Sequence, residues 1–288
     1  MRTRLNAPRG AVPPGVPLRE RLAALSAPCP MHPSAHRIEA AVIDWARRTG
    51  LDADPAEEVH RLAGRAFARH DTGTATLFAR WLTLLTRLRR QPAALPGVLA
   101  VAGGGEPGHA PVERAFADLW GSCAPGMSRR WRERFVSGLA VPAGAGFGRQ
   151  LLDLAEPCLG VEVPATLQES RRWRAATEAG GDVVTWCDAL LTGRLPVVAA
   201  PSSPPVPPVP AARAEAFPQG AQARAVDRVV ERMEELWAAA RVLPPLVGRH
   251  GLGLDASREV IQVACAFLTI PRAYLEGLLE SRRYRHLE

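Results

Sequence analysis

Across 288 residues the chain is 47% hydrophobic with a net charge of +7, which is enough apolar material for one large core or two small ones. No run of about 18 apolar residues occurs, so no membrane-spanning helix is expected. The opening MRTRLNAPRGAVPPGVP follows its charges with Pro and Gly where a secretory signal would carry an apolar stretch. All 36 basic residues are Arg, and they are spread over most segments with no basic stripe among exposed aromatics. With the Ala, Pro and Gly content, this reads as the coding bias of a GC-rich genome, and nucleic acid is not an expected partner. Cys29, Cys123, Cys158, Cys187 and Cys265 are scattered without a CxxC pair, which argues against a zinc site and a disulfide framework and fits a cytoplasmic, reduced protein.

Residues 1–33 form a Pro-rich leader broken by one short helical stretch, Leu18 to Leu25. Pro28, Pro30 and Pro33 delay the first long helix until Ser34, a natural N-cap, and Gly50 ends it. Pro55 opens a second helix with Val59, Leu62, Ala63 and Phe67 inside. A third spans Thr74 to Arg90, burying Leu77, Phe78, Trp81, Leu84, Leu85 and Leu88, and Pro92 and Pro96 stop it before a Gly-rich loop. Pro111 and Ser128 open the fourth and fifth helices. Pro142 to Gly148 reads as a flexible break, followed by a short helix through Leu151 to Leu159 that ends at Gly160.

The next helix starts near Leu167 and contains EAGGDVVTWCDALLT, Glu178 to Thr192. Val183, Val184, Trp186, Leu190 and Leu191 leave it almost no solvated face. Asp188 and Thr192 lie one turn apart on one side. A buried carboxylate needs a partner, a metal or a proton. A hydrogen-bonded Asp in a helix contact and half of an oxygen ligand set for a hard cation are both open here. Cys187 fits a small core residue. The segment LPVVAAPSSPPVPPVP from Leu195 to Pro210 reads as an extended linker. Two last helices follow, Gln222 to Val242 and Asp255 to Arg283, the latter kinked or broken at Pro271. No stretch alternates with the period of a sheet, so the chain is all-α.

Several segments, in this order, resemble the bacterial class I terpene synthases. PCPMHPSAHRIEAAVIDWARRTGL is similar to that family's opening helix, and AFADLWGSCAPGMSRRWRERF to its Ala-Asp-Leu-Trp…Met-Ser-x-x-Trp region. LLDLAEPCLGVEVP resembles its Leu-Asp-Leu-x-Glu-x-x-Leu-Gly segment, and ELWAAARVLPPL with the closing Arg283-Tyr284 resembles its C-terminus. The resemblance covers residues 28–160 and 170–284. It implies a single-domain helical bundle over 34–284, interrupted by the linker at 195–212, with a tail at 285–288. It further implies an apolar pocket, a prenyl diphosphate substrate and a trinuclear Mg²⁺ cluster that draws off diphosphate. The chain would act alone or as a homodimer.

The metal motifs depart from the family pattern. The family's aspartate-rich motif, expected after the lead Trp81 to Leu85, falls on Arg89 and Arg90, which repel Mg²⁺. Its second motif falls on Asp188, Thr192 and Pro196, of which only the first two could hold metal. Arg283 and Tyr284 match the pair that binds diphosphate. Phe78, Trp81 and Trp186 are the candidates for a pocket lining. The expectation is a terpene synthase-like protein with weak or absent ionisation of prenyl diphosphates. The alternatives are a protein of this fold that holds an anionic ligand through Arg89, Arg90, Arg194 and Arg283, and a helical interaction protein.

Overall fold

A computed structural model describes residues 16–26, 29–51, 58–141, 146–192 and 219–280. Its chain order is α1 (Leu18–Leu25), α2 (Ala35–Thr49), α3 (Val59–Ala66), α4 (Thr72–Arg90), α5 (Leu95–Ala102), α6 (Pro111–Cys123), α7 (Arg129–Leu139), α8 (Phe147–Asp153), α9 (Ala155–Leu159), α10 (Ala165–Gln168), α11 (Arg171–Thr192), α12 (Gln219–Gly248) and α13 (Leu254–Glu280). No strand occurs among the described residues.

Helix limits follow local chemistry. Gly50 stops α2 in the left-handed conformation at φ 74°, which a side chain would strain. Ser128 Oγ accepts from Trp131 N at the start of α7, satisfying a backbone donor the helix leaves open. The carboxylate of Asp71 does the same for Thr74 N and starts α4 two residues earlier than the Thr74 expected from sequence. Pro92 and Pro96 do end α4, yet each also sits in the first turn of a new helical piece, a 3-10 turn at Pro92–Ala94 and then α5. Proline is tolerated there because a first-turn amide has no intrahelical acceptor to lose. Helix α13 runs through Pro271, and α12 through Pro244 and Pro245, six residues past the Val242 limit read from sequence. Pro55 and the linker at 195–212 lie outside the described residues.

Helix α11 is the axis of the bundle, packing on α12, α13 and α8. Helix α13 reaches across to α3, which leads through α4 to α2 and α6. Helix α1, inside the Pro-rich leader, docks on α12 and α13 with Leu22 wholly buried and Arg21 paired to Asp227. An aromatic cluster of Trp81, Phe116, Trp120, Trp131 and Phe135 joins α4, α6 and α7. Within it Trp81 Nε1 donates to Cys123 Sγ at 3.4 Å, so the one polar atom of the buried indole has a partner.

Candidate functional site

The last turn of α4 carries Arg87, Arg89 and Arg90 and faces α11. Arg89 Nη2 donates to Asp188 Oδ2 at 2.7 Å, in an ion pair whose side chains are only 21% and 14% exposed. The other face of the guanidinium lies over the Phe147 ring, 4.0 Å from its centroid. Phe147 is the first residue of α8, and Tyr274 of α13 meets its ring edge-on at 6.4 Å. Burial pushes the Tyr274 phenol well above its usual range, with the Asp188 charge adding to the shift and Arg89 opposing it. Burial likewise raises the neighbouring Cys187 thiol, which keeps it protonated and inert. Four helices thus meet at one ion pair.

Phe147 reaches this position because α8 lies unusually close to α11. A Cβ on Gly148 would lie 1.9 Å from the carbonyl oxygen of Gly181. Only a glycine at position 148 permits that approach, while a Cβ on Gly181 would meet Arg149 N at 3.2 Å. The backbone amide of Gly148 also donates to Thr185 Oγ1 at 3.2 Å.

Sequence reasoning singled out Arg89 and Asp188 separately, and the structure brings them into contact. Thr192 is one turn further along α11, where its hydroxyl donates to the backbone carbonyl of Asp188 at 2.8 Å. Arg90 is exposed at the end of α4. Phe78 and Trp81 are fully buried, Phe78 against Phe67 and Trp81 in the aromatic cluster, while Trp186 is half-buried. Arg194, Pro196, Arg283 and Tyr284 lie outside the described residues. Among the described residues, no group of three or more His, Cys, Asp or Glu is placed to hold a metal ion. Phe147 was missed because it falls in the stretch read as a flexible break.

A second polar cluster lies further along α8. Arg134 of α7 donates to Asp153 at 3.2 Å, to Gln168 at 2.7 Å and to Glu156 Oε2. Glu156 Oε1 accepts from Val163 N at 2.9 Å and from Gln168 Nε2 at 2.8 Å. Burial pushes the Glu156 carboxyl up to about 7, against the pull of the Arg134 guanidinium. Asp153 is raised for the same reason. The cluster borders a small polar cavity that Arg149 and Thr177 also line.

Known structures place this architecture. The linalool/nerolidol synthase from Streptomyces clavuligerus, solved with 2-fluorogeranyl diphosphate, is 20% identical over 90% of this chain and 98% of its own, with a TM-score of 0.69. Germacradien-4-ol synthase from Streptomyces citricolor is 16% identical over 87% and 95% of the two chains, with a TM-score of 0.66. Cucumene synthase is 21% identical over 88% and 98%, with a TM-score of 0.64. No family model and no curated protein matches the sequence. The chain therefore has the all-α fold of these class I terpene synthases. No described helix is long and apolar enough to cross a membrane.

Proposed function

We propose that this chain is a divergent member of the class I terpene synthase family in which Mg²⁺-dependent ionisation of a prenyl diphosphate is weak or lost. The observation that carries the reading is the Arg89–Asp188 ion pair, which takes one residue from each of the two segments where metal ligands would be needed. Ionisation of a diphosphate ester needs divalent cations to neutralise the charge that builds on the leaving group. A hard cation needs several oxygen ligands. The described residues do not fit such a cluster: Asp188 is engaged by a guanidinium already, and the α4 positions that would supply further carboxylates carry Arg89 and Arg90.

The fold retains what a prenyl-handling protein is built from, a helical bundle with an aromatic and aliphatic interior. The linalool/nerolidol synthase of the same fold was solved with a geranyl diphosphate analogue, which supports a prenyl diphosphate as the ligand class to try first. The alternative in which arginines grip an anion is weakened, because Arg89 already has a carboxylate on one side and a ring on the other.

The test is incubation with ten-, fifteen- and twenty-carbon prenyl diphosphates and Mg²⁺, followed for hydrocarbon and free diphosphate. The expected result is release at or little above the rate of the protein-free control. Turnover that Asp188→Ala abolishes would overturn the reading and restore an active synthase.

A further inference from the structure

We propose that Arg89 is the resident cation of this fold: its guanidinium takes the place on Asp188 that a divalent ion would take, tying the end of α4 to α11 with no ligand bound. The proposal deepens the functional reading and shares its placement of the two helices, but it does not depend on whether turnover occurs.

Two features point to it. The Asp188 carboxylate of α11 is 14% exposed and has little water to stabilise it, so it needs a cation or a proton. Arg89 comes from the last turn of α4, where the partial negative charge of a helix C-terminus favours a cation.

The surroundings also select a guanidinium over a metal ion. Mg²⁺ requires octahedral oxygen coordination and gives up its water reluctantly. A guanidinium is planar and weakly hydrated, and it stacks on aromatic rings. Among the described residues, the charge is faced by the Asp188 carboxylate and the ring of Phe147, with Tyr274 edge-on behind that ring. Phe147 is delivered there by the Gly148–Gly181 approach, so its place is fixed by backbone contact. A ring under the cation suits an arginine and offers nothing to a hydrated ion.

Thermal melts in chelator and in millimolar Mn²⁺ test the idea. The wild-type midpoint should be the same in both. Arg89→Asp sets a second carboxylate against Asp188, so its midpoint should fall by several degrees in chelator. Mn²⁺ should restore it, because an ion that binds only the folded state stabilises it. Bound Mn²⁺ should then be visible by electron paramagnetic resonance in Arg89→Asp and not in the wild type.

A wild-type midpoint raised by Mn²⁺, with the rise gone in Asp188→Asn, would overturn the proposal, as would a folded Arg89→Asp that ignores Mn²⁺. Should Arg89→Asp not fold, Arg89→Gln decides. It should melt several degrees below wild type, Asp188→Asn should lower the midpoint too, and the double variant should lose less than the sum of the two. An Arg89→Gln midpoint equal to wild type would overturn the proposal. Release of diphosphate by a wild type whose midpoint ignores Mn²⁺ would remove the functional reading alone.

Discussion

Glu156 shows how a side chain that carries sequence resemblance can serve the scaffold. It is 3% exposed, and its carboxyl accepts from a guanidinium, an amide side chain and a backbone N–H. Burial nevertheless outweighs those donors and lifts its pKa from 4.5 to about 7. A carboxyl raised on folding binds its proton more tightly in the native state. Its stabilising contribution is full below the unfolded value, is lost as pH rises through the folded one and is absent above it. With 1.36 kcal/mol for each pKa unit, the span is about 3 kcal/mol. Wild type and Glu156→Gln should therefore differ most in favour of wild type near pH 5, and that advantage should shrink by up to this amount by pH 8. Urea denaturation at the two pH values reads the difference directly. Trp45 makes a simpler joint: its Nε1 donates to Asp118 Oδ2 at 2.8 Å, linking α2 to α6. Trp45→Phe removes the donor, but the exposed Asp118 carboxylate can turn to water, so the lost bond should cost about 0.5–1.5 kcal/mol in the same assay.

Among the elements, α8 is placed by its glycine and α4 by its apolar face. Gly148→Ala would set a Cβ 1.9 Å from the Gly181 carbonyl, a backbone atom that cannot swing aside. The helices must separate, withdrawing Phe147 from Arg89, and overpacking of this kind costs about 1–3 kcal/mol or more. Gly181→Ala meets Arg149 N at 3.2 Å and should cost less. Gly121 in α6 has nothing within 4 Å of an added Cβ, so Gly121→Ala should gain about 0.5–1 kcal/mol from helix propensity alone. Melting the three variants together checks the order. Helices such as α4 and α6 were legible because apolar periodicity and capping residues are local signals. Helix α5 was not, since Pro92 and Pro96 were read only as stop signals, and a first-turn proline looks the same in sequence as a terminating one. The ion pair at the candidate site was half legible. Asp188 and Arg89 each stand out by position, but 99 residues separate them and no local pattern couples them. The Gly148–Gly181 approach leaves no periodic trace either, so the residue it delivers, Phe147, could not be foreseen.

For the molecule as a whole, the residues that carry the likeness to terpene synthases lie mainly at joints between helices. Trp45 and Asp118 join two of the resembling segments, and Trp131 and Arg134 bond to Asp153 and Glu156 in the third. Such joints are constrained by packing and buried charge whatever the protein does. The fold can therefore be retained while residues away from them change. The sharpest test is Arg134→Met. It strands two carboxylates, Asp153 at 15% and Glu156 at 4% side-chain exposure, without their shared cation. Removing one partner of a buried pair costs about 3–5 kcal/mol, a large part of the roughly 5–15 kcal/mol that holds a domain folded. Arg134→Met should therefore melt far below wild type at pH 8 by circular dichroism. Both carboxyls are already raised by burial and lose the cation they share, so protonation at pH 5 should return much of the lost stability. Arg89→Gln strands one carboxylate at 14% exposure, not two with the deeper at 4%, and should stay folded at both pH values. If Arg89→Gln unfolds while Arg134→Met does not, the division of labour is reversed, and the rim rather than the joints holds the bundle together.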